Sequence, residues 1–461
     1  METNNPAYSS VGGVLFDKGQ TTLIQYSLGK IGSYSIPSTV TNIGPNAFSG
    51  CTLTSVTIPN GLATIGDYAF FDCEGLTNMT IGNRVTSIGD EAFANCTNLS
   101  SVTMPNSVIK IGSSTFYRCE NLTSVIIPNG VTSIRDGVFF GCASLTSVTI
   151  PDGVMTIGNY TFSDCEGLTN VTIGNNVASI GDGAFEYCSL TSLGIPNSVT
   201  NIGHSAFLGC TNLTSLTIPG SLTFIRDSAF ALCSSLTTVI IPNNITRIGE
   251  DAFEYCTSLT SVTIPNSVTN IGDGAFWFCT SLTNVMLGNS PAPADSLTIG
   301  DYAFAYCTNL TEVTFRNSLA TIGHSAAEVR AVFWNCYNLA GLYFQGNAPN
   351  QGGDFFEGTH AKAYYLPGTT GWGPTFGAIP TAFWSLPYPL ILNGSLGLQS
   401  NKFGFTIFWA TNLSVIVEAA TDLGSAVWSS IATNSFNGGT FYFTDPQWTN
   451  YPSRFYRVRS L

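Results

Sequence analysis

The chain is poor in charge, in histidine and in long apolar runs. Only 9% of its 461 residues are charged, and the formal net charge is −13. Lysines and arginines total 15 and form no stripe, which argues against a nucleic-acid surface. No apolar run reaches the ~18 residues of a membrane span, so no membrane insertion is expected. Met1-Glu2-Thr3-Asn4-Asn5 has neither a basic start nor an apolar core, so it does not read as a signal peptide. Three histidines and no C-x-x-C leave no metal-ligand pattern, and no Ser, His and Asp stand at a spacing that suggests a triad. The expectation is therefore a protein that is not an enzyme, with no catalytic residue, no metal and no cofactor. Low charge does not mean disorder here, because 44% of the residues are hydrophobic and they recur with a period.

That period organises the chain. The stretch Thr257–Cys279, TSLTSVTIPNSVTNIGDGAFWFC, returns with small changes from about residue 35 to residue 345. Aligned phenylalanines fall at Phe48, Phe70, Phe93, Phe116, Phe139, Phe162, Phe185, Phe207, Phe230, Phe253, Phe276, Phe304 and Phe333. Most steps are 23 residues; two are 22, where one residue is missing after Cys51 and after Cys188. Two longer steps carry insertions around 289–296 and 326–331. Within one copy, Leu259-x-x-Val262-x-Ile264 alternates and meets Pro265, which reads as a short strand. Asn266-Ser267 turns the chain, and Val268–Ile271 gives a second extended piece. Asp273 then precedes Ala275-Phe276-x-x-Cys279, which reads as one α or 3₁₀ turn with Asp273 as its N-cap. No copy buries its own apolar face, but stacked copies do, with Leu259, Val262, Ile264, Ile271, Phe276 and Cys279 meeting their counterparts. At ~4.8 Å per coil, such a rod runs roughly 60 Å.

This L-x-x-V-x-I and I-G-x-x-A-F-x-x-C pattern resembles the BspA-like (treponemal-type) leucine-rich repeats of bacteria, over about two thirds of the chain. The resemblance implies a repeat solenoid, mainly β with short helical or 3₁₀ turns: a leucine-rich repeat rod of about 13 coils. It also implies a secreted or cell-surface protein of adhesion or protein binding. An export signal already removed, or an incomplete chain, then fits the N-terminus better than an intracellular protein.

All 13 cysteines stand three residues after an aligned phenylalanine: Cys51, Cys73, Cys96, Cys119, Cys142, Cys165, Cys188, Cys210, Cys233, Cys256, Cys279, Cys307 and Cys336. Neighbouring coils would hold Cβ atoms about 4.8 Å apart, farther than the ~3.8 Å a disulfide prefers. Free buried thiols packing as small apolar groups are favoured.

The position before the presumed helical turn is acidic at Asp67, Asp90, Asp136, Asp182, Asp227, Glu250, Asp273 and Asp301. Repeated capping explains this row better than calcium, because Pro45, Ser113, Asn159, His204 and His324 interrupt it and no second carboxylate rank accompanies it. The preceding glycine becomes Arg135 and Arg226 in two copies, so that position does not demand positive φ.

Outward residues of the main strand form two uncharged ranks, as in Ser55/Thr57, Ser101/Thr103 and Ser261/Thr263. Such a face suits soluble β-formers, many weak hydrogen bonds to protein or glycan, or, as a minor reading, ice. Ile126, Gly194, Ile240 and Met286 break its rows. The last copies turn charged and aromatic, at Glu312, Arg316 and Tyr343; these, with Thr314, Ser261 and Thr263, are the candidate binding residues. An envelope or matrix scaffold without a specific ligand is the rival function, and catalysis hidden in the last 115 residues a further one.

The expected organisation is an N-terminal β-hairpin cap (1–34), the solenoid (35–345), a capping segment (346–385) and a small antiparallel β-sandwich (386–461). Val14–Ile24 reads as the hairpin and resembles the segment that opens such arrays; Tyr364–Gly368 and Gly371–Pro374 resemble a closing segment. Strands are expected at 404–409, 413–419, 440–443 and 454–459, a module resembling those attached to secreted bacterial repeat proteins. Arg454, Arg457 and Arg459 are expected on one solvated face, rather than docking to an acidic surface.

Overall fold

Stacked coils need two kinds of segment: extended pieces that pair from coil to coil, and a third side that returns the chain. A computed structural model describes residues 5–288, 297–315, 319–322, 331–351, 356, 358–384, 390–391, 397–399, 402–409, 414–422, 427–435 and 439–460. Coil by coil it repeats a strand such as Ser261–Ile264, a turn in which the Val268 amide donates to the Pro265 carbonyl (3.1 Å), and a two-residue strand such as Asn270–Ile271. Both strands pair in parallel with their equivalents, as in Ser101↔Asn78 and Ile111↔Ile88. The chain is a β-solenoid, and its Leu, Val, Ile, Phe and Cys positions line one continuous core running from Val14 to Ile379.

Phenylalanine stacks on phenylalanine through that core. Ring centroids are 4.7 Å apart between Phe48 and Phe70 and 5.6 Å between Phe230 and Phe253, with planes within 12°. Tyr26 continues the stack at one end and Phe356 at the other, so the core extends past the aligned repeats in both directions. The 13 cysteines are free and buried. From Cys73 to Cys336 the thiols donate to the aligned phenylalanine carbonyl of the preceding coil: Cys96 Sγ to Phe70 (3.1 Å), and Cys279 Sγ to Phe253 (3.3 Å).

The third side is not helical, which corrects the expected α or 3₁₀ turn. In one coil the amides of Gly274, Phe276 and Phe278 donate to Asp301, Ala303 and Ala305 of the next coil, at 2.8–3.0 Å. The amides between them close local turns, Trp277 to Gly274 and Cys279 to Phe276. Gly274 and Phe278 have φ of 59° and 57°, a left-handed conformation no right-handed helix contains. The acidic row consequently caps no helix. Instead the carboxylates of Asp67, Asp90, Asp136, Asp182, Asp227 and Asp273 reach across a junction to an amide of the next coil: the Asp90 amide donates to Asp67 Oδ1 (2.9 Å), and the Asp301 amide to Asp273 Oδ1 (2.8 Å). Asn159 substitutes by accepting from the Asp182 amide.

The glycine ahead of this row is needed for close approach, not for φ. A Cβ on Gly158 would lie 2.6 Å from the Arg135 carbonyl carbon, and one on Gly66 2.8 Å from the Pro45 nitrogen. Where Arg135 and Arg226 stand instead, the ladder of two-residue strands breaks. It divides between Lys110–Ile111 and Ser133–Ile134, and again between Asn201–Ile202 and Phe224–Ile225. The wider strand ladder also divides. It is lost at 191–195, where Gly194 replaces a β-former, and again between Thr238–Ile240 and Ser261–Ile264, where no sequence feature marks the gap.

At the N-terminus Val14–Asp17 and Thr22–Gln25 form the expected hairpin, with Asp17 Oδ1 accepting the Thr21 and Thr22 amides. An additional strand, Tyr8–Val11, pairs with it, and Thr22–Gln25 passes the pairing on to Asn42–Ile43. Near the C-terminus the chain forms antiparallel sheets around a second, smaller core of Phe405, Ile407, Val415, Val417 and Phe443. The four expected strands are present, as Lys402–Trp409, Ser414–Ala420, Gly439–Asp445 and Phe455–Ser460. Ser429–Ser435 is a strand the alternation did not reveal. Arg457 and Arg459 are exposed, as expected of a solvated face, and both bind the buried Glu418, at 2.6 and 2.9 Å; Arg454 departs from that face and pairs with the buried Asp445 at 3.1 Å.

Candidate functional site

The strand face ends in a parallel sheet that gathers most of the sequence-predicted residues. Its register sets two outward rows. One runs Ser261↔Asn284↔Glu312↔Gly341↔Lys362, the other Thr263↔Met286↔Thr314↔Tyr343↔Tyr364↔Ala382. Ser261, Thr263 and Glu312 are exposed, and Thr314 and Tyr343 are half-buried. Ser261 and Thr263 lie two strands away from Glu312 and Thr314, so they share the face without reaching the same spot. Arg316 and both insertions, apart from the buried Ala331, lie outside the described residues.

Glu312, Thr314 and Tyr343 meet Tyr364 and Trp384 around a shallow cleft of about 370 Å³. Tyr343 stacks on Tyr364 with centroids 5.1 Å apart and planes 11° from parallel. Trp384 leans against Tyr343 at 5.0 Å and 46°. It follows the strand Ile379–Phe383 and is tied down by its own amide, which donates to the Tyr365 carbonyl (2.8 Å). The Tyr343 ring folds back over Gly341, since a Cβ there would come within 2.6 Å of it. Lys362 Nζ lies 5.7 Å above the Tyr364 ring. Burial pushes the Tyr343 phenol above its ordinary range, and Glu312 and then Tyr364 add to this. At neutral pH Tyr343 therefore keeps its O–H.

Tyr364, Lys362 and Trp384 were missing from the expected site because their segment reads as a cap. A signal for them exists: Lys362-Ala363-Tyr364-Tyr365 aligns with Gly341-Leu342-Tyr343-Phe344, with Ala363 and Leu342 both pointing into the core.

A second depression, about 750 Å³, opens where the strand ladder fails at Gly194, lined by Ile195, Pro196, Asn197, Thr217 and Pro219 among others. It has no charged group and no aromatic ring to orient a ligand. Of the histidines, His204 faces Asp227 (Nδ1 to Oδ2, 3.4 Å) at the surface and His360 is exposed; His324 lies outside the described residues. Among the described residues no cluster of three or more His, Cys, Asp or Glu is arranged to hold a metal ion. No described helix is long and apolar enough to cross a membrane.

The family model for the BspA type leucine rich repeat region (6 copies) matches residues 25–146, 132–256 and 223–363. A leucine-rich repeat protein of Bacteroides ovatus is 32% identical over 67% of this chain and 85% of its own, with a TM-score of 0.54. A leucine rich cell surface protein of Faecalibacterium prausnitzii is 24% identical, covering 75% and 97%, at a TM-score of 0.41. No curated protein matches the sequence.

Proposed function

Because the chain belongs to the BspA-type leucine-rich repeat family, we propose that it is a secreted or cell-surface binding protein without catalytic activity, which recognises protein or glycan on the strand face of its solenoid. The recognition site is the end of that face, where Glu312, Thr314, Tyr343, Tyr364 and Trp384 converge. The observation that carries this reading is the change of chemistry along the rows. Small hydroxyl and amide side chains give way to two tyrosines, a tryptophan and a carboxylate around one cleft. Rigid aromatics with polar tips supply much contact area at small entropic cost, which is why they dominate binding hot spots.

The test presents the full chain to an array of matrix proteins and glycans. Capture is expected to fall by about tenfold or more with Tyr343→Ala, a hot-spot loss, and to be unchanged by Ser101→Ala with Thr103→Ala at the far end. Indifference to Tyr343→Ala and Glu312→Gln would favour a ligand-free scaffold. Ice binding draws little support, because the hydroxyl rows are interrupted by exposed Ile126 and Ile240 and by the break at Gly194.

A further inference from the structure

Resting on that reading, we infer that the ligand class is a neutral, pyranose-containing glycan whose sugar ring lies against the Tyr343–Tyr364–Trp384 wall. A pyranose has one face of polarised C–H bonds and a rim of hydroxyls. The cleft has the matching halves. Two ring surfaces inclined at 46° form its wall. At the cleft stand the Glu312 carboxylate, which only accepts hydrogen bonds, and the Thr314 hydroxyl, which does both; Lys362, in the outward row of Glu312, holds its ammonium over the Tyr364 ring and only donates. At about 370 Å³ the cleft is at the small end of ligand sites, which suits one or two sugar rings.

Three competing ligand classes fit less well. Three aromatics beside a carboxylate suggest a cage for a quaternary ammonium ion. However, Lys362 Nζ already lies over the Tyr364 ring, and its charge opposes a second cation. An anionic sugar would meet Glu312 at the cleft and a chain of net charge −13. An extended peptide adding to the sheet would need a free strand edge. Gly341–Phe344 and Lys362–Tyr365 are both paired on two sides, to Glu312–Phe315 and to Ile379–Phe383 at the outer limits.

Gly341 is what sets the platform. By lacking a side chain between Glu312 and Lys362, it lets the Tyr343 ring lie back along the strand. It is a positioning residue: a larger side chain there lifts the ring without deleting any group that touches the ligand.

The experiment titrates the full chain with neutral gluco-, manno-, galacto- and xylo-configured tetrasaccharides, following tryptophan fluorescence and heat. Benzyltrimethylammonium and polygalacturonate serve as the cationic and anionic alternatives. At least one neutral tetrasaccharide is expected to bind saturably. Its affinity should weaken about tenfold or more, or about 1.4 kcal/mol, in Trp384→Ala and Tyr343→Ala. Gly341→Val should show the same loss with an unchanged circular dichroism spectrum. No binding across the neutral set, or binding that all three variants leave intact, overturns the inference. If the cation, the polyanion or a protein binds instead and depends on Tyr343, the glycan assignment falls while the binding site stands. If no ligand of the chain depends on Tyr343 or Glu312, the site itself falls.

Discussion

At the scale of single residues, the cysteines explain why this position is neither alanine nor serine. The Phe70 carbonyl accepts the Cys73 amide of its own coil and the Cys96 thiol of the next, so Cys fills a small buried space and still donates once. Burial raises the thiols of Cys51 and of those from Cys96 to Cys336, with Cys51, Cys165, Cys233 and Cys336 at about 12. In the unfolded chain they ionise near pH ~8.5. The folded state therefore holds protons that the unfolded state releases, and stability that is intact below about pH 8.5 is lost as pH rises toward 12, at about 1.4 kcal/mol per pH unit for each thiol. Denaturation midpoints measured from neutral to alkaline pH should fall steeply above that point, and a flat profile would contradict the ladder of buried thiols. A disulfide-exchange reagent should find no thiol at about pH 8 and should titrate all of them in guanidinium.

At the scale of the coil, one glycine and one carboxylate act together. The absent Cβ of Gly249 leaves the place that the Asp227 carboxylate takes to accept the Glu250 amide. Before Arg135 and Arg226 the corresponding residues are Ser113 and His204, so no carboxylate stands there to accept the next amide, and there the ladder is broken. Arg226→Gly combined with His204→Asp is expected to rejoin the strands on either side. It should slow hydrogen exchange around Ile202 and Ile225 and add about 0.5–1.5 kcal/mol, less the cost of a freer backbone. Unchanged exchange would place the cause of the break elsewhere. Strands and inward positions were legible in the sequence, because alternation at Leu259, Val262 and Ile264 admits one reading. The turn was not. Ala275, Phe276 and Cys279 are spaced as a helix would space them, and the conformation is decided by residues with left-handed φ such as Gly183, Asn46, Ser228 and Asp251, whose composition was the available clue. In the candidate site, Tyr343 stood out by interrupting polar rows, whereas Tyr364 and Trp384 lay in a segment where the period had changed.

At the scale of the whole molecule, the solenoid and the C-terminal sheets have hydrophobic cores with no residue in common. The sheets depend on Glu418, whose carboxyl is held below its usual range by hydrogen bonds from Arg457 and then Arg459. A depressed carboxylate stabilises the fold above its unfolded pKa, and this is lost as the pH falls through the folded value, below about pH 4. Calorimetry across that range should show the transition of the C-terminal sheets moving to lower temperature in acid more than that of the solenoid. Glu418→Gln should abolish the difference; a common shift of both transitions would show that the ion pairs are not its source. For the solenoid, the parallel register has a separate consequence. Each layer meets a near-replica of itself above and below, so unequal crossing-over within the gene can delete or duplicate a layer without exposing its neighbours to an unfamiliar surface. The reach between the N-terminal hairpin and the aromatic tip is thereby adjustable in increments of about 4.8 Å, while the tip's chemistry travels unchanged.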